Sequence, residues 1–170
     1  MIQSVKPAPT DETDGLPMPK RIWAVISVGF ALCMSVLDVN IINIVLPTLS
    51  HDFGTSPAVT TWIINGYQLA IVVSLLSFSA LGEIIGYRKV YLSGIGLFCI
   101  TSLICALSDS FWTLTIARIF QGFSASAITS VNTAQLRYIY PKSQLGRGMG
   151  INAMVVAISA AAGPSVASGI

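Results

Sequence analysis

The chain has 170 residues, of which 54% are hydrophobic and 9% are charged, whereas soluble domains carry about a quarter charged residues. This composition excludes a disordered chain. It also excludes a nucleic-acid-binding protein, because the nine Lys and Arg residues are nearly balanced by seven Asp and Glu and are too few to form a phosphate-binding face. Cys33, Cys99 and Cys105 lie in apolar runs without metal-site spacing, so we interpret them as small packing residues.

The N-terminal stretch predicts a disordered cytoplasmic tail over residues 1–20. It contains four prolines and three acidic residues and has few apolar side chains to bury. An apolar run then extends from 22 to 46, which is too long for the roughly 7–15-residue core of a cleavable signal peptide. It predicts a first membrane span that Pro47 ends.

Four further apolar runs each approach the roughly 20 residues that cross a bilayer as a helix. They cover residues 60–81, 90–107, 111–136 and 149–170. The fourth span of the five is the most polar, because it contains Arg118, Gln121, Asn132 and Gln135. A helix packed inside a bundle tolerates such groups on its inner face. Residues 21–170 are therefore predicted to form part of an all-α, polytopic membrane helix bundle.

The basic residues predict the orientation of this bundle. All of them except Arg118 fall before the first span or in the second and fourth connections: Lys6, Lys20, Arg21, Arg88, Lys89, Arg137, Lys142 and Arg147. Cytoplasmic loops carry the excess of Lys and Arg, so the N-terminus is predicted to be cytoplasmic in a multi-pass inner-membrane protein. Because the count of spans is odd and the chain stops within the fifth, we expect it to be the front portion of a longer protein.

Two ionisable residues within the spans are the first candidates for function. Asp38 lies eight residues before the external end of the first span, and Arg118 lies seven residues after the external start of the fourth. Both are therefore on the order of 10–12 Å below the outer boundary, where a pair or a shared wet cavity is possible. Asp38 could exchange a proton that Arg118 modulates, or the two could form a fixed structural ion pair.

Helical spacing places further polar groups near these two. Arg118, Gln121, Gly122 and Ala125 follow the i, i+3, i+4, i+7 pattern of one helix face. Asn40 and Asn43 lie roughly opposite Asp38 around the first span, so one side is predicted to face the cavity and the other to hydrogen-bond a neighbouring helix.

Four segments in the correct order resemble the fourteen-span drug:proton antiporters of the major facilitator superfamily. They are LDVNIINIVLP at 37–47, ALGEIIGYRK at 80–89, RIFQG at 118–122 and SAAAGPSVAS at 159–168. They match the first-span signature, the loop motif between spans two and three, the fourth-span Arg-x-x-Gln-Gly motif and the fifth-span antiporter motif. Departures are Ser79 for Gly, Glu83 for Asp, Ile84 for Arg, and Ala167-Ser168 for Gly-Gly.

The resemblance implies an alternating-access transporter in which two six-span halves rock around a midplane site. It implies that Asp38 and Arg118 couple proton and substrate movement. Asn43, Tyr67, Gln68 and Gln121 are candidate cavity-lining residues, with helix packing as the alternative role for Tyr67 and Gln68. Gly82, Glu83, Gly86, Arg88 and Lys89 would form a cytoplasmic gate, while Gly122, Gly163 and Pro164 would serve helix packing.

The expected function is proton-coupled efflux of hydrophobic or cationic small molecules. The proton is the expected coupling ion, no other cofactor is expected, and the whole protein is expected to be a monomer in the lipid bilayer. A metabolite exporter or symporter of the same superfamily is one alternative, and a truncated, non-transporting membrane protein is another. An enzyme is not expected, because the sequence has no nucleophile–base pair, metal-ligand cluster or phosphate-binding loop after a strand.

Overall fold

A computed structural model describes residues 15–167, with side chains described as far as Ser165. The predictions for residues 1–14, Lys6 among them, for the side chain of Ala167 and for Ser168 in the fifth-span motif fall outside this description. All regular elements within the described range are helical, which confirms the all-α fold class. The elements are α1 (Met18–Asp52), α2 (Pro57–Thr60), α3 (Trp62–Ile85), α4 (Tyr87–Ala106), α5 (Phe111–Ile139), a 3₁₀ turn (Lys142–Gln144) and α6 (Leu145–Ala167).

The proline positions explain two differences from the predicted boundaries of the first span. Helix α1 begins at Met18, inside the predicted tail, because Pro17 and Pro19 occupy the N-cap and first turn, where the missing N–H has no helical partner in any case. It also continues through Pro47 to Asp52, so Pro47 does not end the helix. Membrane helices tolerate an internal proline when neighbouring groups satisfy the freed carbonyl.

The predicted loop between the second and third spans is almost entirely helical. Only Gly86 separates α3 from α4, and its backbone has φ 98° and ψ 131°. Residues with a Cβ atom rarely adopt this backbone conformation, whereas glycine does so without steric cost. A single glycine therefore turns the chain between two antiparallel helices.

Among the described residues, four helical segments are long and apolar enough to cross a membrane by length and composition: Met18–Asp52, Pro57–Ile85, Tyr87–Ala106 and Lys142–Ser165. Helix α5 is not among them because its sequence is too polar. Its position accounts for that polarity. It packs against α3 and α4 and also contacts α1 and α6, so about half of its residues are buried.

The bundle divides into two well-packed groups. Helices α3, α4 and α5 form one group, and α1 and α6 form the other. Contacts between the groups are sparse, although Tyr91 Oη of α4 donates to Ser27 O of α1 at 3.2 Å. Such an arrangement leaves few interactions that fix α1 relative to α5.

The chain segments that contain the basic residues outside the predicted spans lie together at one end of the bundle, as far as the structure describes them. Leu16 N donates to Ile139 O at 3.2 Å, and Arg21 Nη1 donates to Gln144 Oε1 at 3.0 Å. The rings of Tyr87 and Tyr138, with centroids 6.1 Å apart, join the start of α4 to the end of α5. The start of α1, the α3–α4 turn and the α5–α6 connection therefore lie at the same end.

Candidate functional site

Asp38 and Arg118 form a direct ion pair between α1 and α5. Arg118 Nη1 lies 2.6 Å from Asp38 Oδ2. The Arg118 side chain is 5% exposed and that of Asp38 is 20% exposed. Charge-assisted bonds of this length are strong in a low-dielectric surrounding, but each partner becomes costly when the other is removed. The two residues placed at equal depth by the sequence are thus in contact.

Gln121 joins this pair in a closed ring of hydrogen bonds among three side chains, which we call the ionic ring. Its Nε2 donates to Asp38 Oδ1 at 3.1 Å, and its Oε1 accepts from Arg118 Nη1 at 2.9 Å. Both carboxylate oxygens therefore have a donor from α5, one charged and one neutral. Gln121 is completely buried. Its i+3 position from Arg118 puts both side chains on the α5 face turned to α1.

Helix α3 contributes an aromatic ring to the same site. The guanidinium carbon of Arg118 lies 5.6 Å from the centroid of the Tyr67 ring, within the range of a cation–π contact. Tyr67 is buried, with 5% of its surface exposed. Of the candidate cavity-lining residues, Tyr67 and Gln121 therefore contact the ion pair.

The other two cavity candidates lie away from the ion pair's hydrogen bonds. Gln68 and Asn43 are exposed, and Asn43 Nδ2 donates to Val39 O on its own helix at 2.8 Å. Asn40 Nδ2 likewise donates to Val36 O. The predicted bond to a neighbouring helix is made by the opposite side of α1, where Asp38 accepts from Arg118 and Gln121 of α5, whereas both asparagine amides satisfy carbonyls one turn back on α1.

Gly122 lets α3 approach α5 closely enough to place Tyr67 over Arg118. A Cβ at this position would overlap the carbonyl oxygen of Tyr67 and would lie 2.8 Å from Ala70 Cβ. Gly163 has a corresponding place between α6 and α1, since its Cβ would lie 2.5 Å from Asn40 Cβ. Pro164 follows it within a helix that runs on to Ala167. Both glycines thus lie where two helices are in close contact.

The predicted cytoplasmic gate residues lie at the α3–α4 turn. Gly82 is buried, and a Cβ there would lie 2.7 Å from the Tyr87 ring and 3.1 Å from Val131. Glu83, Arg88 and Lys89 are exposed, and within residues 15–167 none of them forms an ion pair. Their gating role remains a prediction, because the charge contacts it requires are not made among the described helices.

Cys105 is the site residue that the sequence did not indicate. Its Sγ donates to Gln121 Oε1 at 3.4 Å from the end of α4, although the apolar run around it predicts packing alone. Whether a cysteine in such a run contacts a polar group depends on the rotation and tilt of two helices. The local sequence does not specify the rotation or the tilt of either helix.

Comparisons with known proteins find similarity over almost the whole chain. A family model described as Major Facilitator Superfamily matches residues 28–170. The chain is 51% identical over 162 residues to the uncharacterized transporter YebQ of Escherichia coli strain K12, covering 95% of this chain and 35% of that protein.

Two further relatives carry more specific names. The riboflavin transporter RibZ of Clostridioides difficile is 32% identical, over 86% of this chain and 32% of that protein. The drug efflux pump JefA of Mycobacterium tuberculosis is 30% identical, over 89% of this chain and 30% of that protein. The chain thus spans about a third of the length of the relatives it matches.

Proposed function

Because the chain belongs to the Major Facilitator Superfamily, we propose that the whole protein is a secondary active transporter that exchanges protons for hydrophobic or cationic small molecules. The observation that supports this most strongly is the buried ring of Asp38, Arg118 and Gln121 between α1 and α5. Ionisable groups inside membrane helices are costly and are typical of ion and substrate pathways.

The ring provides a physical route from protonation to conformational change. A proton on Asp38 removes the charge that compensates Arg118 and leaves the guanidinium with uncharged acceptors, among them the carbonyl of Gln121. A buried cation without a counter-charge is unfavourable, so protonation favours a conformation in which Arg118 reaches water or another acceptor. A cationic substrate that binds Asp38 would displace Arg118 in the same way.

The position of the ring suits this role because it joins the two packed groups of helices. Asp38 lies on α1, which packs chiefly on α6, while Arg118 and Gln121 lie on α5, which packs on α3 and α4. Direct packing between α1 and α5 is sparse, so the ionic contacts add to the apolar packing of Val28 and Ala31 in fixing their separation. A change in the charge of Asp38 would therefore alter the relative placement of the groups.

We further propose that the protein is a monomer in the inner membrane with its N-terminus in the cytoplasm. In support, the segments with the basic residues Lys20, Arg21, Arg88, Lys89, Arg137, Lys142 and Arg147 meet at one end of the bundle. The proton would be the coupling ion without any other cofactor. The bilayer and a small-molecule substrate would be the partners, as for a transporter and not an enzyme.

The riboflavin transporter among the relatives supports a second candidate, a metabolite transporter of the same superfamily. Purified whole protein in vesicles that contain a pH-sensitive dye, with a pH gradient imposed, separates the two. For the exporter we expect addition of ethidium, a lipophilic cation, to accelerate proton movement opposite to the direction of ethidium movement.

Three other outcomes would contradict the exporter proposal. A response to riboflavin but not to ethidium would favour the metabolite transporter. Proton and substrate movement in the same direction would indicate symport. Absence of any substrate-dependent proton flux, in vesicles where the protein is shown to be folded and inserted, would favour a non-transporting protein.

A further inference from the structure

The thiol of Cys105 contacts the ionic ring from a helix that contributes no charge to it. Cys105 lies one residue before the end of α4, and its Sγ is 3.4 Å from Gln121 Oε1. The cysteine is partly buried and Gln121 has no exposed surface. The carbonyl of Gln121 therefore accepts two hydrogen bonds, from the Arg118 guanidinium and from the Cys105 thiol.

The orientation of the Gln121 amide decides whether the ring can form. In the observed orientation the NH₂ group faces the Asp38 carboxylate and the carbonyl faces Arg118. A rotation of the amide by half a turn would place NH₂ against the guanidinium and the carbonyl oxygen against the carboxylate. Both new contacts would be repulsive, so the ring requires the observed orientation. Arg118 and Cys105 are the two donors that hold it.

These two donors differ in what happens to them during the proposed cycle. Arg118 leaves the carbonyl when protonation of Asp38 releases the ion pair, whereas the thiol is neutral and does not respond to that charge directly. We infer that Cys105 is a positioning residue that keeps the Gln121 amide directed at Asp38 while Arg118 is away. This inference rests on the proposed proton-coupled transport and adds a contribution of α4 to it.

A spectroscopic measurement tests the contact independently of transport. The S–H stretching band lies in an infrared region with little other protein absorption, and its frequency falls when the thiol donates a hydrogen bond. The difference spectrum between the whole wild-type protein and its Cys105→Ala variant isolates the Cys105 band. We expect that band to shift to higher frequency in Gln121→Leu, and an unchanged band would overturn the inference.

A transport measurement tests the consequence of the contact. In the vesicle assay with ethidium, Cys105→Ala removes the donor, and we expect coupled proton flux to fall about two- to tenfold. The pH of half-maximal flux should move upward, because the amide is then free to rotate while Arg118 is away, and the ionised form of Asp38 loses its oriented donor in that state. Cys105→Ser keeps a donor of similar size and should retain the wild-type profile.

Cys99→Ala is the matched control, because Cys99 lies on the same helix, is exposed and should leave the flux unchanged. Equal profiles for wild type and Cys105→Ala would overturn the inference, as would a Cys105→Ser variant impaired as much as Cys105→Ala. Either result leaves the proposed function intact when wild type shows coupled flux. Absence of flux in wild type would instead contradict the proposed function, and the infrared band would still test the contact.

Discussion

Replacement of Arg118 by Met is expected to abolish coupled transport and to destabilise the protein by about 3–5 kcal/mol, the usual cost of breaking a buried ion pair. The substitution leaves the Asp38 carboxylate, which is 20% exposed, with the amide of Gln121 as its described donor. The apparent melting temperature in detergent measures the destabilisation. Ethidium-driven proton flux in vesicles measures the loss of transport.

The double variant Asp38→Asn/Arg118→Met separates a coupling pair from a fixed structural pair. It removes both charges, so we expect most of the lost melting temperature to return. Coupled flux should remain absent, because no titratable group is left in the ring. Recovery of flux together with stability would show that the pair is structural and would contradict the coupling role. Wild-type flux in Arg118→Met alone would do the same.

Replacement of Gly122 by Ala is expected to lower both melting temperature and transport. The new methyl group would overlap the Tyr67 carbonyl oxygen. This oxygen belongs to the backbone, so it cannot move without moving the helix, whereas the end of a flexible side chain could. Helix α3 must shift, at a cost of about 1–3 kcal/mol or more for overpacking. The shift would also displace the Tyr67 ring from Arg118. Melting temperature and ethidium-driven flux check these two effects.

Gly96→Ala provides a matched control for this variant. Gly96 is also within a helix, but a Cβ there would meet nothing within 4 Å beyond its chain neighbours and its own helix backbone in the part of the chain that the structure describes. Alanine is a better helix former than glycine, so we expect the melting temperature of Gly96→Ala to be unchanged or slightly raised. If Gly122→Ala is tolerated as well as Gly96→Ala, the close approach of α3 to α5 is not needed.

The core of the site could be predicted because helix geometry converts spacing into position. Depth counted along two spans placed Asp38 level with Arg118, and the i, i+3 spacing placed Gln121 beside Arg118. Which atoms meet could not be predicted, since that depends on the rotation of α1 about its axis. The same uncertainty left open which side of α1 would bond to a neighbouring helix; Asp38 does so, while Asn40 and Asn43 bond to their own helix.

The boundaries of the helices were harder to predict than the all-α fold class. Hydropathy marks the part of a helix that suits lipid, but backbone hydrogen bonds continue into polar residues and past Pro47. The turn at Gly86 has no signal in hydropathy either, because only its backbone conformation distinguishes it from the helical residues on both sides. The low hydropathy of α5 was interpreted correctly as the sign of a helix with polar groups on its inner face. About half of its residues are buried against other helices of the bundle, where they do not contact lipid.

The most direct test of the coupling role is transport by an Asp38→Asn variant of the whole protein in vesicles. Asparagine keeps the shape of the side chain and removes the titratable group. We predict that ethidium still moves down its own concentration gradient, while an imposed pH gradient no longer drives it uphill. Uphill ethidium transport at the wild-type rate in Asp38→Asn would show that Asp38 is not the coupling site.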